Sequence, residues 1–209
     1  MAEVKGTIVK AWLNFLEARY GRSHVASTIQ ALDPTDRSFL SSPLLDSTWY
    51  PMELQASLGK LTRLLRRDHE RNLSLELGRH IAEYAYTTVY ARQLKDDPIK
   101  QAERFGWLDR LLYQGLRECE TEVTGPASIL VRYRYNRGYK PGPGECSSIA
   151  GFICRQIEMA GGSRVKFVHD KCLAVGASNY CEFSVKWATV NDGAGQDLSR
   201  GSGESRWGS

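Results

Sequence analysis

The sequence predicts an α+β domain: an N-terminal helical half packed on a small antiparallel sheet with one C-terminal helix. Two observations carry that prediction. Apolar residues recur every three or four positions through the first 120 residues, as amphipathic helices require. After Gly125 and Pro126 the period drops to two, in stretches separated by turn residues and by one further helical segment.

In "VKGTIVKAWLNFLEARYG", Ile8, Val9, Trp12, Phe15, Leu16 and Tyr20 share one stripe, which predicts a helix over residues 4 to 20 with Gly21 as its cap. "ALDPTDRSFLSSPLLDSTWYP" carries three prolines among Asp, Ser and Thr and suits short helical turns and loop. Pro51 fits the first turn of a second helix with Leu54, Leu58, Leu61 and Leu65 on one side. A third is expected from Asn72 to Arg92. A fourth follows Asp97 and Pro98, with Phe105, Leu108, Leu112, Leu116 and Cys119 on one face. "SILVRYRYN" alternates as a half-buried strand with Ile129, Val131, Tyr133 and Tyr135 on one face. Ser147 to Ala160 reads as a helix ended by Gly161 and Gly162. "SRVKFVHDKC" and "NYCEFSVKW" then read as a closing hairpin. Residues 1–188 are therefore expected to form one domain, helical over 1–120 and mixed over 121–188. The Gly- and Ser-rich stretch 189–209 is expected to be a disordered tail.

Composition narrows the function classes. Five cysteines are an odd number for a disulfide framework, and 209 residues need no stapling, so reduced thiols or metal ligands are expected. No run approaches 18 apolar residues, so a cytoplasmic chain without signal or membrane span is expected. Lys60, Arg63, Arg67 and Arg71 recur at helical spacing opposite leucines, the pattern of a solvated face, and direct nucleic-acid binding is not expected. With no G-x-G-x-x-G after a strand, no P-loop and no G-x-S-x-G, the expectation is a chain that is not an enzyme.

One constellation carries chemistry. His169 and Cys172 form an H-x-x-C pair at the end of one hairpin strand, the turn returns Cys181 beside them, and Cys146 opens the helix that packs on that sheet. Three thiolates and an imidazole suit tetrahedral Zn²⁺ in a closed, structural shell; the alternative is ordinary packing of strand residues. Cys119 and Cys154 fall on apolar stripes and read as small buried hydrophobes.

The stretch "CSSIAGFICRQIEMAGGSRVKFVHDKCLAVGASNYCEFSVKW" resembles the C-terminal half of the V4R (4-vinyl reductase) domain, the sensor of phenol-responsive NtrC-type activators, where three cysteines and an acidic residue hold a structural zinc. The resemblance implies Cys146, Cys172 and Cys181 as ligands, with His169 at the acidic position. More loosely, "VKGTIVKAWLNFLEARYG" and "WYPMEL" resemble the start of the related haem-NO-binding-like superfamily, which includes myxobacterial paralogues of unknown function. Its haem-binding members need an axial histidine and a Y-x-S-x-R motif. Here "YRYNR" offers Tyr133 and Arg137 with Tyr135 at the serine position, and no histidine lies between His80 and His169, so haem is not expected.

The resemblance implies a zinc-stabilised, homodimeric domain that senses a small hydrophobic or aromatic ligand and acts through an effector protein. His80, Tyr84, Trp107 and Tyr113 are the pocket candidates; the alternative for each is core packing. An adaptor with a filled pocket, or an enzyme acting on a tetrapyrrole, are the other readings.

Overall fold

The computed structural model describes residues 2–66 and 72–188. The expected tail and the Arg67 and Arg71 positions of the basic stripe lie outside the described residues. Along the chain run β1 (Glu3–Lys5), α1 (Gly6–Tyr20), α2 (Arg22–Gln30), α3 (Pro34–Ser41), β2 (Trp49–Pro51), α4 (Met52–Leu65) and α5 (Leu73–Thr87). A 3₁₀ turn (Ala91–Gln93) leads to α6 (Pro98–Ala102), α7 (Phe105–Leu112), β3 (Tyr113–Gln114), β4 (Arg117–Gly125), β5 (Ser128–Tyr135), α8 (Pro143–Met159), β6 (Ser163–Lys171) and β7 (Cys181–Ala188). The α+β class is as predicted.

The sheets are larger than the periodicity implied. β1 pairs with β2 and β3 in a small three-stranded sheet, and β4-β5-β7-β6 form a four-stranded antiparallel sheet. The fourth helix expected to reach Cys119 stops at Leu112. Gly115 has φ 63, a left-handed turn that no helix continues through, and Cys119 pairs with Tyr133 on β5. Beyond that turn Glu120 and Glu122 face Arg134 and Arg132 across the strands, an alternation that favours a strand with one wet face. The loop expected after α1 contains α2, which buries only Val25 and Ile29 and so shows little periodicity.

Two cores result. Ile8, Leu16, Leu54, Leu58 and Leu61 fill the helical one; Ile129, Val131, Phe183 and Val185 meet Ile149, Ile153 and Ile157 of α8 in the other. They join where α5 crosses α8. A Cβ on Gly78 would sit 1.8 Å from the Ser148 carbonyl oxygen, and one on Gly151 would sit 2.1 Å from that of Leu75. Only glycine allows backbones so close. Beside this crossing, Tyr86 donates to Gln156 Oε1 (2.7 Å) and Gln101 donates to both (2.5 and 3.0 Å), a buried network tying α5, α6 and α8.

Trp12 and Phe15 of α1 pack within the chain. Trp12 donates to Thr62 of α4 at 2.9 Å, and buried Phe15 lies 5.5 Å from the His80 ring. Among the described residues no helix is long and apolar enough to cross a membrane.

Candidate functional site

The structure brings the predicted donor set together. Cys146 stands in the first turn of α8, His169 near the end of β6, Cys172 just beyond it and Cys181 at the start of β7. One ligand atom from each lies within 4.8 Å of all the others, with Cys146 and Cys181 sulfurs 3.8 Å apart. That is about the edge of a tetrahedron built on metal–sulfur bonds of about 2.3 Å. The buried Nε2 of His169 has no hydrogen-bond partner, and its ring stacks on Phe183 at 4.3 Å, which fixes the imidazole toward the sulfurs. The Cys181 thiol is held well down, to about 4, by the Cys146 thiol donating to it, helped by His169 and the Leu173 amide. Cys146 is pushed up as the donor of that pair and by burial. Asp170 faces the other side of the sheet, where the Ser184 amide donates to it at 3.1 Å. Cys119 and Cys154 are buried, as expected, and burial pushes the Cys154 thiol up to about 11.

The second site is a cavity of about 520 Å³ between α4, α5 and the start of α8. Leu73, Leu77, Ile81, Ile149 and Trp12 give it apolar walls. Its inner end is polar. Arg117, with a side chain 4% exposed, donates to Asp109 at 2.8 Å and to Glu145 at 3.3 Å. Its guanidinium lies 4.3, 4.8 and 5.7 Å from the rings of Tyr113, Tyr133 and Tyr135. Glu145 also accepts from Tyr135 (3.1 Å) and Tyr139 (2.7 Å). Burial pushes the Tyr113 phenol up to about 12, so it stays neutral.

Of the four pocket candidates only Tyr113 lines this cavity. His80 meets Asn14 Oδ1 at 3.0 Å on the α1 side, and burial lowers its pKa. The Tyr84 hydroxyl faces Asp46 at 3.5 Å, and Trp107 is 39% exposed with Arg104 over its ring at 4.6 Å. The residues that dominate the cavity, Arg117, Gln55 and Gly59, carried no sequence signal beyond a glycine inside a strong helix and an arginine among alternating acids.

No family model matches the chain, and no curated protein does. Solved structures match over most of its length. An Fe(II) unliganded H-NOX mutant from K. algicida aligns with TM-score 0.64 at 17% identity, covering 89% of this chain and 97% of that one. An H-NOX protein from S. oneidensis in the Fe(II)NO state gives 0.66 at 14%, covering 88% and 99%. An oxygen-binding H-NOX domain related to soluble guanylate cyclases gives 0.64 at 12%, covering 88% and 95%. The fold is H-NOX-like. This corrects the V4R assignment, and with it the vinyl-reductase and zinc-binding labels: the matching structures are described through iron and its gas ligands. The expectation of structural zinc, drawn from the donor set and from that resemblance, is corrected with it, and the four side chains stand as a candidate metal site only.

Whether haem fits is decided by the cavity. No histidine is among its described lining residues; His24, His80 and His169 lie elsewhere, and His69 lies outside the described residues. Of the oxygen groups that line it, Glu145 is taken up by Arg117, Tyr135 and Tyr139, Tyr113 is a neutral phenol and Gln55 offers only an amide oxygen, none of them an anionic ligand for iron. Tyr133 lines an adjoining hollow of only about 30 Å³, and Arg137 is exposed in the turn after β5. The described residues do not fit a haem.

Proposed function

We propose that this chain is a non-catalytic sensing or regulatory domain that uses the H-NOX-like fold without haem. It binds a small apolar or aromatic molecule in the cavity between α4, α5 and α8 and passes its state to an effector protein. The observation that carries this reading is the 520 Å³ cavity itself, apolar along its walls and polar at its ends, the arrangement of a ligand site. An adaptor with a filled pocket would have no such space. The cavity also touches both halves, through Leu77 on α5 and Ile149 on α8, so an occupant can bias how they pack.

The same reading assigns Cys146, His169, Cys172 and Cys181 to one soft transition-metal ion, supported by their convergence and by the orphaned His169 nitrogen. An ion held there would join the start of α8 to the β6–β7 hairpin. A homodimer belongs to this reading as well. Sedimentation of the purified chain tests it.

The test of function is a thermal-shift screen of small aromatic and apolar compounds beside a haem titration. The proposal expects compounds that raise the melting temperature and no Soret band from bound haem. A haem complex at one per chain would overturn it.

A further inference from the structure

The cavity is built with polarity at both ends, and the ends differ. Met52, Gln55, Ala56, Gly59, Thr62 and Arg63 come from one face of α4 and Arg66 from just past its end, so the cavity runs roughly 20 Å along that helix. At its outer end stand Arg63 and Arg66, both exposed, and among the described residues neither guanidinium has a carboxylate partner. Toward its inner end two carboxylates, Asp109 and Glu145, face the single guanidinium of Arg117, which leaves negative charge in excess, with Glu145 the one that lines the cavity. Gln55 sharpens this: its amide reaches the Tyr113 hydroxyl while its Oε1 is buried and accepts from no donor, so a ligand donor placed at that oxygen would recover a lost hydrogen bond. An anion is repelled from the inner end and attracted to the outer one.

We infer that the cavity takes an amphiphilic acid, with its anionic group at Arg63 and Arg66, an apolar or aromatic body along Leu73 and Leu77, and a neutral hydrogen-bond donor reaching Gln55. This rests on the ligand-binding reading above and gives that ligand its chemical class and direction.

Gly59 provides the test. A Cβ there meets only the Arg63 Nη1 at 3.7 Å, so a larger side chain projects into open cavity without touching the core. The probe is 1-anilinonaphthalene-8-sulfonate, which carries a sulfonate on an aromatic body and so tests the anionic end of the assignment. N-phenyl-1-naphthylamine is the same skeleton without the charge. Fluorescence titration of the full chain is expected to show the sulfonate probe binding more tightly than the neutral one. Arg63→Ala/Arg66→Ala should weaken the sulfonate probe about tenfold, from two exposed ion pairs, and leave the neutral probe unchanged. Gly59→Leu, or Ala56→Trp should the first fail to fold, should block both. If both probes bind alike and ignore the arginine variant, yet Gly59→Leu still blocks them, the acid inference is overturned and the cavity reading stands. If neither cavity-filling variant affects either probe, both fall.

Discussion

Arg117→Met should be among the most damaging single changes in the chain. Arg117 and Asp109 are 4% and 7% exposed and bridge at 2.8 Å, and Glu145 is the second carboxylate on the same guanidinium. Removing the cation leaves Asp109 buried without a counter-charge. Breaking such a pair costs about 3–5 kcal/mol, a large part of an ordinary domain's stability. Glu145 is cushioned by the Tyr135 and Tyr139 hydroxyls, so the loss falls mainly on Asp109. The double variant Arg117→Met/Asp109→Leu should therefore regain about half of the loss. Urea unfolding followed by circular dichroism measures both quantities. A loss below about 1 kcal/mol, or a double variant no better than the single, would refute the reasoning.

The helix crossing predicts opposite effects for two glycines. Gly151→Ala should cost about 1–3 kcal/mol or more through its 2.1 Å clash with Leu75, while Gly59→Ala should stabilise α4 by up to about 1 kcal/mol; urea midpoints decide both. Tyr86→Phe removes the donor to Gln156 and should cost about 1–2 kcal/mol in the same assay. Metal analysis should find about one ion per chain, lost in Cys172→Ala, with a lower melting temperature after chelation; a metal-free protein of unchanged stability would remove the metal assignment. Glu182, held below the usual carboxylate range by Arg132 with Lys171 assisting, stabilises the fold above about pH 4.3, and that contribution is lost as pH falls through its lowered value. Arg132→Ala should flatten the decline in stability between pH 5 and 3.

The sequence carried the long helices because each has a full apolar stripe, as Leu54, Leu58, Leu61 and Leu65 do on α4. It concealed β4 because Leu116 and Cys119 continue the spacing of Leu108 and Leu112, so a helical period ran on past the glycine that ends it. The three-residue strands β1 and β2 are too short to show any period. The cysteine–histidine set was legible because hairpin geometry alone returns Cys181 to Cys172. The cavity was not. Its walls come from three helices distant in sequence, and a space between elements leaves no pattern within any one of them. Tyr113 was recovered, while Gln55, Gly59 and Arg117 became visible only in the packed structure. The V4R resemblance failed for a related reason: it rested on about 40 residues of the mixed half, whereas the H-NOX likeness extends over 88% of the chain or more.

Native mass spectrometry of the freshly purified chain, wild type beside Gly59→Leu, bears most directly on a haem-free ligand domain. The account predicts a non-covalent organic adduct on the wild type, its absence from the variant, and no haem mass on either. A haem adduct on the wild type, with the matching Soret band, would contradict it.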